Sequence, residues 1–257
     1  MSDAVRRPTA GEMRAAIYSS GEELGRAAAE NTATVLVEAV QRRGGARMIA
    51  ATGNSQLAFV EALRERTEIQ WEKIVVFHMD EYVGLDEDHP ASFRRWIRER
   101  IAEPLGPAAV HYLDGEVSDV EAECRRYEGL LREGAIDLVC MGIGENGHIA
   151  FNDPPVANFS DPVWVKAVEL DRECRMQQVG EGHFPTLEDV PTHALTLTVP
   201  ALLAPRSLQI VVPERRKAEA VRRTFRDPIG EACPATILRI QPRAVLFLDE
   251  ESASLLD

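Results

Sequence analysis

A chain of 257 residues, 45% hydrophobic and 28% charged, has the make-up of a soluble globular protein and can bury one large α/β core or two small ones. Its formal net charge of −13 argues against nucleic acid or an anionic membrane as the main partner, because both need basic fields; a small phosphorylated ligand needs only a locally positive pocket. The four cysteines form no CxxC pair, no apolar run approaches the roughly 20 residues of a membrane span, and MSDAVRRP lacks a signal-peptide core, so free thiols and a cytoplasmic location are expected.

In chain order, Ser20-Gly21-Glu22-Glu23 reads as the start of a helix over 21–43, with apolar positions at helical spacing and Gly44-Gly45 as its stop. Residues 48–51 read as a short strand. The polar loop Thr52-Gly53-Asn54-Ser55 and a helix over 56–66 follow. A strand, a glycine-bearing loop and a helix N-terminus offer backbone N–H groups and hydroxyls that suit a phosphate, although Ser55 would also serve as an ordinary helix cap. Residues 73–79 read as a strand buried on both faces, ending at Asp80-Glu81-Tyr82, a carboxylate pair placed to act as a general base. Ser92 then opens a helix over 93–101 whose RRWIRER run reads as a charged outer face, and the acidic Asp86-Glu87-Asp88 as solvated loop.

A short strand over 110–113 and a helix over 117–132 lead into the most informative stretch, DLVCMGIGENGHIAFND. Its apolar run 138–141 reads as a buried strand. Gly142, Gly144 and Gly147 let the backbone turn sharply around Glu145, Asn146 and His148, with Asn152 and Asp153 close behind. Open α/β sheets place their chemistry in such loops. Residues 154–191 read as irregular apart from a strand near 164–170, and a connection that long in a compact domain is usually a lid or binding loop. A stretch over 194–199, a short helix at 201–203, a strand over 208–212, a basic helix over 214–226 and a strand over 243–248 complete the chain. Strands alternating with helices predict a single α/β domain over 1–257, three layers built on an open, twisted, mostly parallel sheet with helices on both faces.

Three stretches resemble the glucosamine-6-phosphate deaminase (isomerase) family: HMDEYVGLDEDHPASF, DLVCMGIGENGHIAFNDP and THALTLTVPALL. The resemblance extends from about residue 50 to the last strand and implies a Rossmann-like fold. It also implies conversion of glucosamine 6-phosphate to fructose 6-phosphate and ammonia, by ring opening, proton transfer between C2 and C1, and deamination. It assigns ring opening to His148 and the proton shuttle to Asp80. It places Thr52, Gly53, Asn54, Ser55, Glu81 and Gly147 at the substrate, with Lys217 on its phosphate. It implies no cofactor and no metal, and the chain shows neither a dinucleotide fingerprint nor HExxH spacing. Family members occur as monomers and as homo-oligomers, and no apolar stripe marks an interface in this sequence.

The chain departs from the family pattern at three places. Asn146 stands where a deaminase usually has Asp, Asp153 where it usually has Glu, and Gly180 where a phosphate-binding arginine is expected, with Arg172 or Arg175 as replacements. An amide can orient an imidazole but supplies no charge, so Asp153 is expected to pair with His148. Of the basic residues that bind an allosteric effector in the family only Lys166 is kept, so activation by N-acetylglucosamine 6-phosphate is not expected. Two other readings stand beside this one: a 6-phosphogluconolactonase with His148 as base toward water, and a non-catalytic sugar-phosphate sensor.

Overall fold

In the computed structural model, residues 4–256 are described. β1 (Thr9–Ala10) and β2 (Met13–Tyr18) pair antiparallel and lead into α1 (Gly21–Arg43). The Ser20 hydroxyl caps α1 by accepting from the Glu23 amide, and Gly44 closes it in the left-handed region at φ 80°. β3 (Ala46–Ala50) passes through a 3₁₀ turn into α2 (Leu57–Arg64). β4 (Ile74–His78) is followed almost at once by β5 (Asp80–Tyr82). α3 (Phe93–Ile97) continues through a π turn into α4 (Glu103–Leu105), before β6 (Ala109–His111) and α5 (Val120–Arg132). β7 (Leu138–Met141), β8 (Val165–Glu169), α6 (Arg172–Gly180), β9 (His193–Leu197) and α7 (Val199–Leu203) come next. β10 (Ser207–Val212), α8 (Ala218–Arg226) and β11 (Ala244–Asp249) end the order.

The main sheet runs β1-β2-β11-β10-β7-β3-β4-β6, and every neighbouring pair except β1 with β2 is parallel. Successive side chains on a strand point to opposite faces, so the buried strands feed two cores. Met48, Val76, Cys140 and Phe247 meet α1 and α2 on one face; Ile49, Phe77, Val139 and Leu246 meet α5, α7 and α8 on the other. Three layers result, as the alternation of elements predicts. α1 and α2 cross closely because Gly25 has no side chain: a Cβ there would stand 2.6 Å from the backbone of Ala58.

β3, β4 and β6 are laid outward on one side, whereas β7 returns beside β3 and β10 and β11 extend the other way. The strand order therefore reverses between β3 and β7. Ligands of open α/β sheets bind in the crevice outside the carboxyl ends at such a reversal.

A second, antiparallel sheet, β5-β9-β8, hangs from the end of β4. Residues 80–82 do not simply end the β4 strand: the Leu197 amide donates to the Met79 carbonyl at 2.8 Å and draws the chain into pairing with β9. Tyr82, Phe93, Phe151 and Phe184 form an aromatic cluster around this small sheet. Two further elements differ from the sequence reading. β2 lies in a stretch to which that reading assigned no strand, and α6 lies within residues 154–191, read as irregular. Arg94 is not part of a charged outer face either; it is buried, 3.0 Å from Asp114 and 2.9 Å from Glu116. All four cysteines are free and buried. Among the described residues no helix is long and apolar enough to cross a membrane.

Candidate active site

A cavity opens at the carboxyl ends of β3, β4, β7 and β10, where the strand order reverses. Thr52, Gly53, Asn54 and Ser55 line it from the loop after β3, Asp80 from β5, and Gly144 and His148 from the loop after β7. Lys217 lines it from the turn after β10, and Gln177, Gln178, Glu181 and His183 from α6 and the residues after it. Asp80 and His148 thus share one cavity with Lys217. The last four side chains were absent from the sequence reading, although Asp171 is a legible N-cap, accepting from the Cys174 amide at 2.7 Å.

His148, 9% exposed, is held from behind. Its Nδ1 lies 2.9 Å from Asp153 Oδ1 and 2.8 Å from Asn146 Oδ1. The Asn146 oxygen also accepts from the His148 backbone amide at 2.9 Å, while its Nδ2 donates to Asp153 at 2.8 Å, which fixes the amide's orientation. Both neighbours of Nδ1 are acceptors, so Nδ1 carries the proton and Nε2 is the nitrogen left for a substrate. Burial opposes the imidazolium, but the Asp153 carboxylate outweighs it and the His148 pKa rises; burial opposes the Asp153 charge too, and the imidazole outweighs it and lowers the Asp153 pKa. Asn146 and Asp153 stand behind the ring and do not line the cavity. Gly144 lies flat against the imidazole, where any Cβ would overlap the ring. Gly147, at φ 90°, makes the loop's left-handed turn and packs on Cys233; it does not line the cavity, so the expected substrate contact is corrected to a backbone role.

Asp80 is 8% exposed, and burial, with the neighbouring Glu81 carboxylate adding to it, lifts its pKa to about 7. Glu81 points the other way and is fully buried. Its carboxylate accepts from the amides of Tyr82, Phe93 and Arg94 and from the Ser92 hydroxyl, with the Arg94 guanidinium 3.3 Å away. Glu81 therefore caps α3 and is corrected from a substrate ligand to a structural anchor.

The loop 52–55 presents a helix start that no side chain caps: Ser55 accepts from the Gln56 amide side chain instead of capping α2. Opposite it, Lys217 is 4% exposed, and burial lowers its pKa. Glu214, three residues earlier, sits at φ 80°, a strained conformation for a residue with a side chain, and its amide donates to Asp249 at 3.0 Å. Neither arginine expected as a phosphate ligand reaches the cavity: Arg172 is exposed, and Arg175 donates to the Leu187 and Val190 carbonyls. Lys166 is held by Asp161 and the Val156 carbonyl, away from the cavity. One trio of metal-ligand type occurs among the described residues: donor atoms of His148, Asp153 and Cys174 lie within 4.8 Å of one another. A metal there would have to replace the Nδ1 proton that pairs His148 with Asp153.

A family profile for glucosamine-6-phosphate isomerases/6-phosphogluconolactonase matches residues 19–247. Glucosamine-6-phosphate deaminases from Bacillus thuringiensis (strain Al Hakam) and Bacillus anthracis (strain A0248) are each 33% identical over 243 residues, 95% of this chain and 89% of theirs. The structure of a monomeric glucosamine-6-phosphate deaminase superposes with a TM-score of 0.86 at 29% identity, covering 95% of this chain and all of that one. A 6-phosphogluconolactonase from Shewanella baltica OS155 superposes at 0.78 with 20% identity, covering 94% of this chain and 99% of its own, a likeness of fold alone.

Proposed function

The chain belongs to the family of glucosamine-6-phosphate isomerases and 6-phosphogluconolactonases, and from that premise we propose that it is an amino-sugar phosphate isomerase/deaminase converting glucosamine 6-phosphate to fructose 6-phosphate and ammonia. One observation carries the reading. A carboxylate that ionises near neutrality and an imidazole with one open nitrogen line the same cavity, with a buried lysine beside them.

His148 Nε2 takes the anomeric hydroxyl proton and returns it to the ring oxygen, opening the sugar to its aldehyde. The Asp80 carboxylate then removes the C2 proton while the substrate's own ammonium group gives a proton to the C1 oxygen, leaving an amino-enol, and Asp80 delivers the C2 proton to C1. The C2 imine that results adds water and expels ammonia, giving the ketose. A base that must both take and return a carbon-bound proton works best with a pKa near the operating pH, which supports Asp80 in this role. Asp153 holds the His148 tautomer and stabilises its charged form, with Asn146 bridging the two. Lys217 and the loop Thr52–Ser55 receive the phosphoryl group.

The test is release of ammonia and fructose 6-phosphate from glucosamine 6-phosphate, with 6-phosphogluconolactone run in parallel. Turnover of the amino sugar is expected. Turnover of the lactone alone would make the protein a hydrolase. Thermal stabilisation by the amino sugar without turnover would make it a sensor.

A further inference from the structure

The positive end of the cavity holds a negative side chain. Glu181 Oε1 lies 3.6 Å from Lys217 Nζ and 3.2 Å from the Arg216 guanidinium, and accepts from Gln177 Nε2 at 2.8 Å. Its Oε2 lies 3.4 Å from His183 Nε2, and its backbone carbonyl accepts from the Asn54 side chain at 3.4 Å. Lys217 is the one lysine or arginine among the described residues lining the cavity, so the cation on which a phosphate would land is already neutralised from within the chain.

We propose that Glu181 sets the specificity and affinity of this subsite by competing with the substrate's phosphoryl group for Lys217, which the phosphoryl group binds by displacing the carboxylate. The inference rests on the reading of Lys217 as the phosphoryl ligand. A dianion and an ionised carboxylate cannot share one buried ammonium without strong repulsion. Glu181 does not yield by protonation. Burial opposes its charge, but His183, Lys217 and Arg216 outweigh burial and hold its pKa at about 2, so it stays charged at any working pH. It has to move.

The local chain allows that movement. Glu181 stands between Gly180 and Gly182, and a Cβ at either glycine would meet nothing within 4 Å. The anchors lie just outside: Gln178 accepts from the Tyr82 hydroxyl at 2.8 Å, and Phe184 packs edge-on against the Tyr82 ring. A short segment can swing between these fixed points by opening the last turn of α6, where the Glu181 amide donates to the Gln177 carbonyl at 2.8 Å and the Gly182 amide to the Val179 carbonyl at 3.0 Å.

The experiment measures binding of inorganic phosphate by calorimetry to the wild type, Glu181→Gln and Glu181→Asp, alongside KM and kcat. Glu181→Gln is expected to bind phosphate about tenfold more tightly, with KM lowered by a similar factor and kcat not raised, and Glu181→Asp to restore the weaker binding. Equal or weaker binding by Glu181→Gln overturns the proposal, because Glu181 would then be orienting Lys217. Phosphate binding to neither protein overturns it too. Should the variants fail to fold, hydrogen exchange on the wild type decides. Phosphate should speed exchange at residues 179–183, and slowed or unchanged exchange there counts against displacement. Free phosphate probes the subsite whatever the enzyme turns over. Absence of ammonia with the expected phosphate result rejects the deaminase reading alone; ammonia release with the opposite phosphate result rejects this inference alone.

Discussion

Burial lifts Asp80 from 3.8 to about 7, so it is the charged form that costs the folded state. The unfolded chain gives up this proton at lower pH than the folded one, so the contribution to stability is full below about pH 3.8 and is lost as pH rises to about 7. That rise corresponds to at most about 4 kcal/mol. Asp80→Asn removes the penalty, and its Tm should gain on the wild type progressively from about pH 4 to about pH 8 in thermal melts; a gap independent of pH would contradict it. In the wild type, kcat/KM should rise with pH through about 7 as the carboxylate forms. Asp153 works in the opposite sense, because its charge is favoured by His148. Asp153→Asn should cost roughly 10³-fold or more in kcat and lower the His148 pKa in an NMR titration. A fall in turnover with an unchanged imidazole titration would show that Asp153 acts some other way. Glu81 shows why two adjacent acids could not both serve: neighbours on a strand point to opposite faces, so once Asp80 faces the cavity Glu81 faces α3.

The close crossing of α1 and α2 at Gly25 carries its own prediction. Gly25→Ala forces a methyl group against the Ala58 backbone and should cost about 1–3 kcal/mol, read as a lower denaturation midpoint with KM little changed. A neutral or stabilising result would show that the helices can part freely. α1 itself is legible in the sequence, because its cap, its apolar spacing and its closing glycine agree. β5 is not legible in the same way. Its three residues become a separate strand only by pairing with residues 194–196, more than a hundred positions away. α6 was hidden for a related reason: its buried face is just Cys174 and Gln178, too little apolar character to give a helical stripe. With α6 unseen, Gln177, Gln178, Glu181 and His183 were unseen too, although Lys217 and Asn54, which Glu181 meets, were legible. The loop carrying His148 was legible because glycines and an imidazole announce themselves in any register; that Gly147 turns the chain while Gly144 shelves the ring depends on tertiary placement.

The main sheet belongs to both cores at once, because each strand sends alternate side chains to opposite faces. Neither core can dissolve without stripping the other's strands, and the small sheet is continuous with β4 through Met79. The chain is therefore expected to melt as one cooperative unit, with coincident transitions by circular dichroism and tryptophan fluorescence. Two separated transitions would divide it into independently folding parts. The alternation of strands and helices made the three layers legible, and the strand order placed the cavity where the two halves of the sheet part company. The four enclosed sulfhydryls turn the same architecture into a clock. Burial raises the pKa of each, so in the native fold none is reactive or reachable, and an alkylating reagent can mark them only during an opening. If the molecule opens all at once, Cys124, Cys140 and Cys233 should be modified at a common rate, with Cys174 ahead of them wherever the chain loosens locally around Glu181.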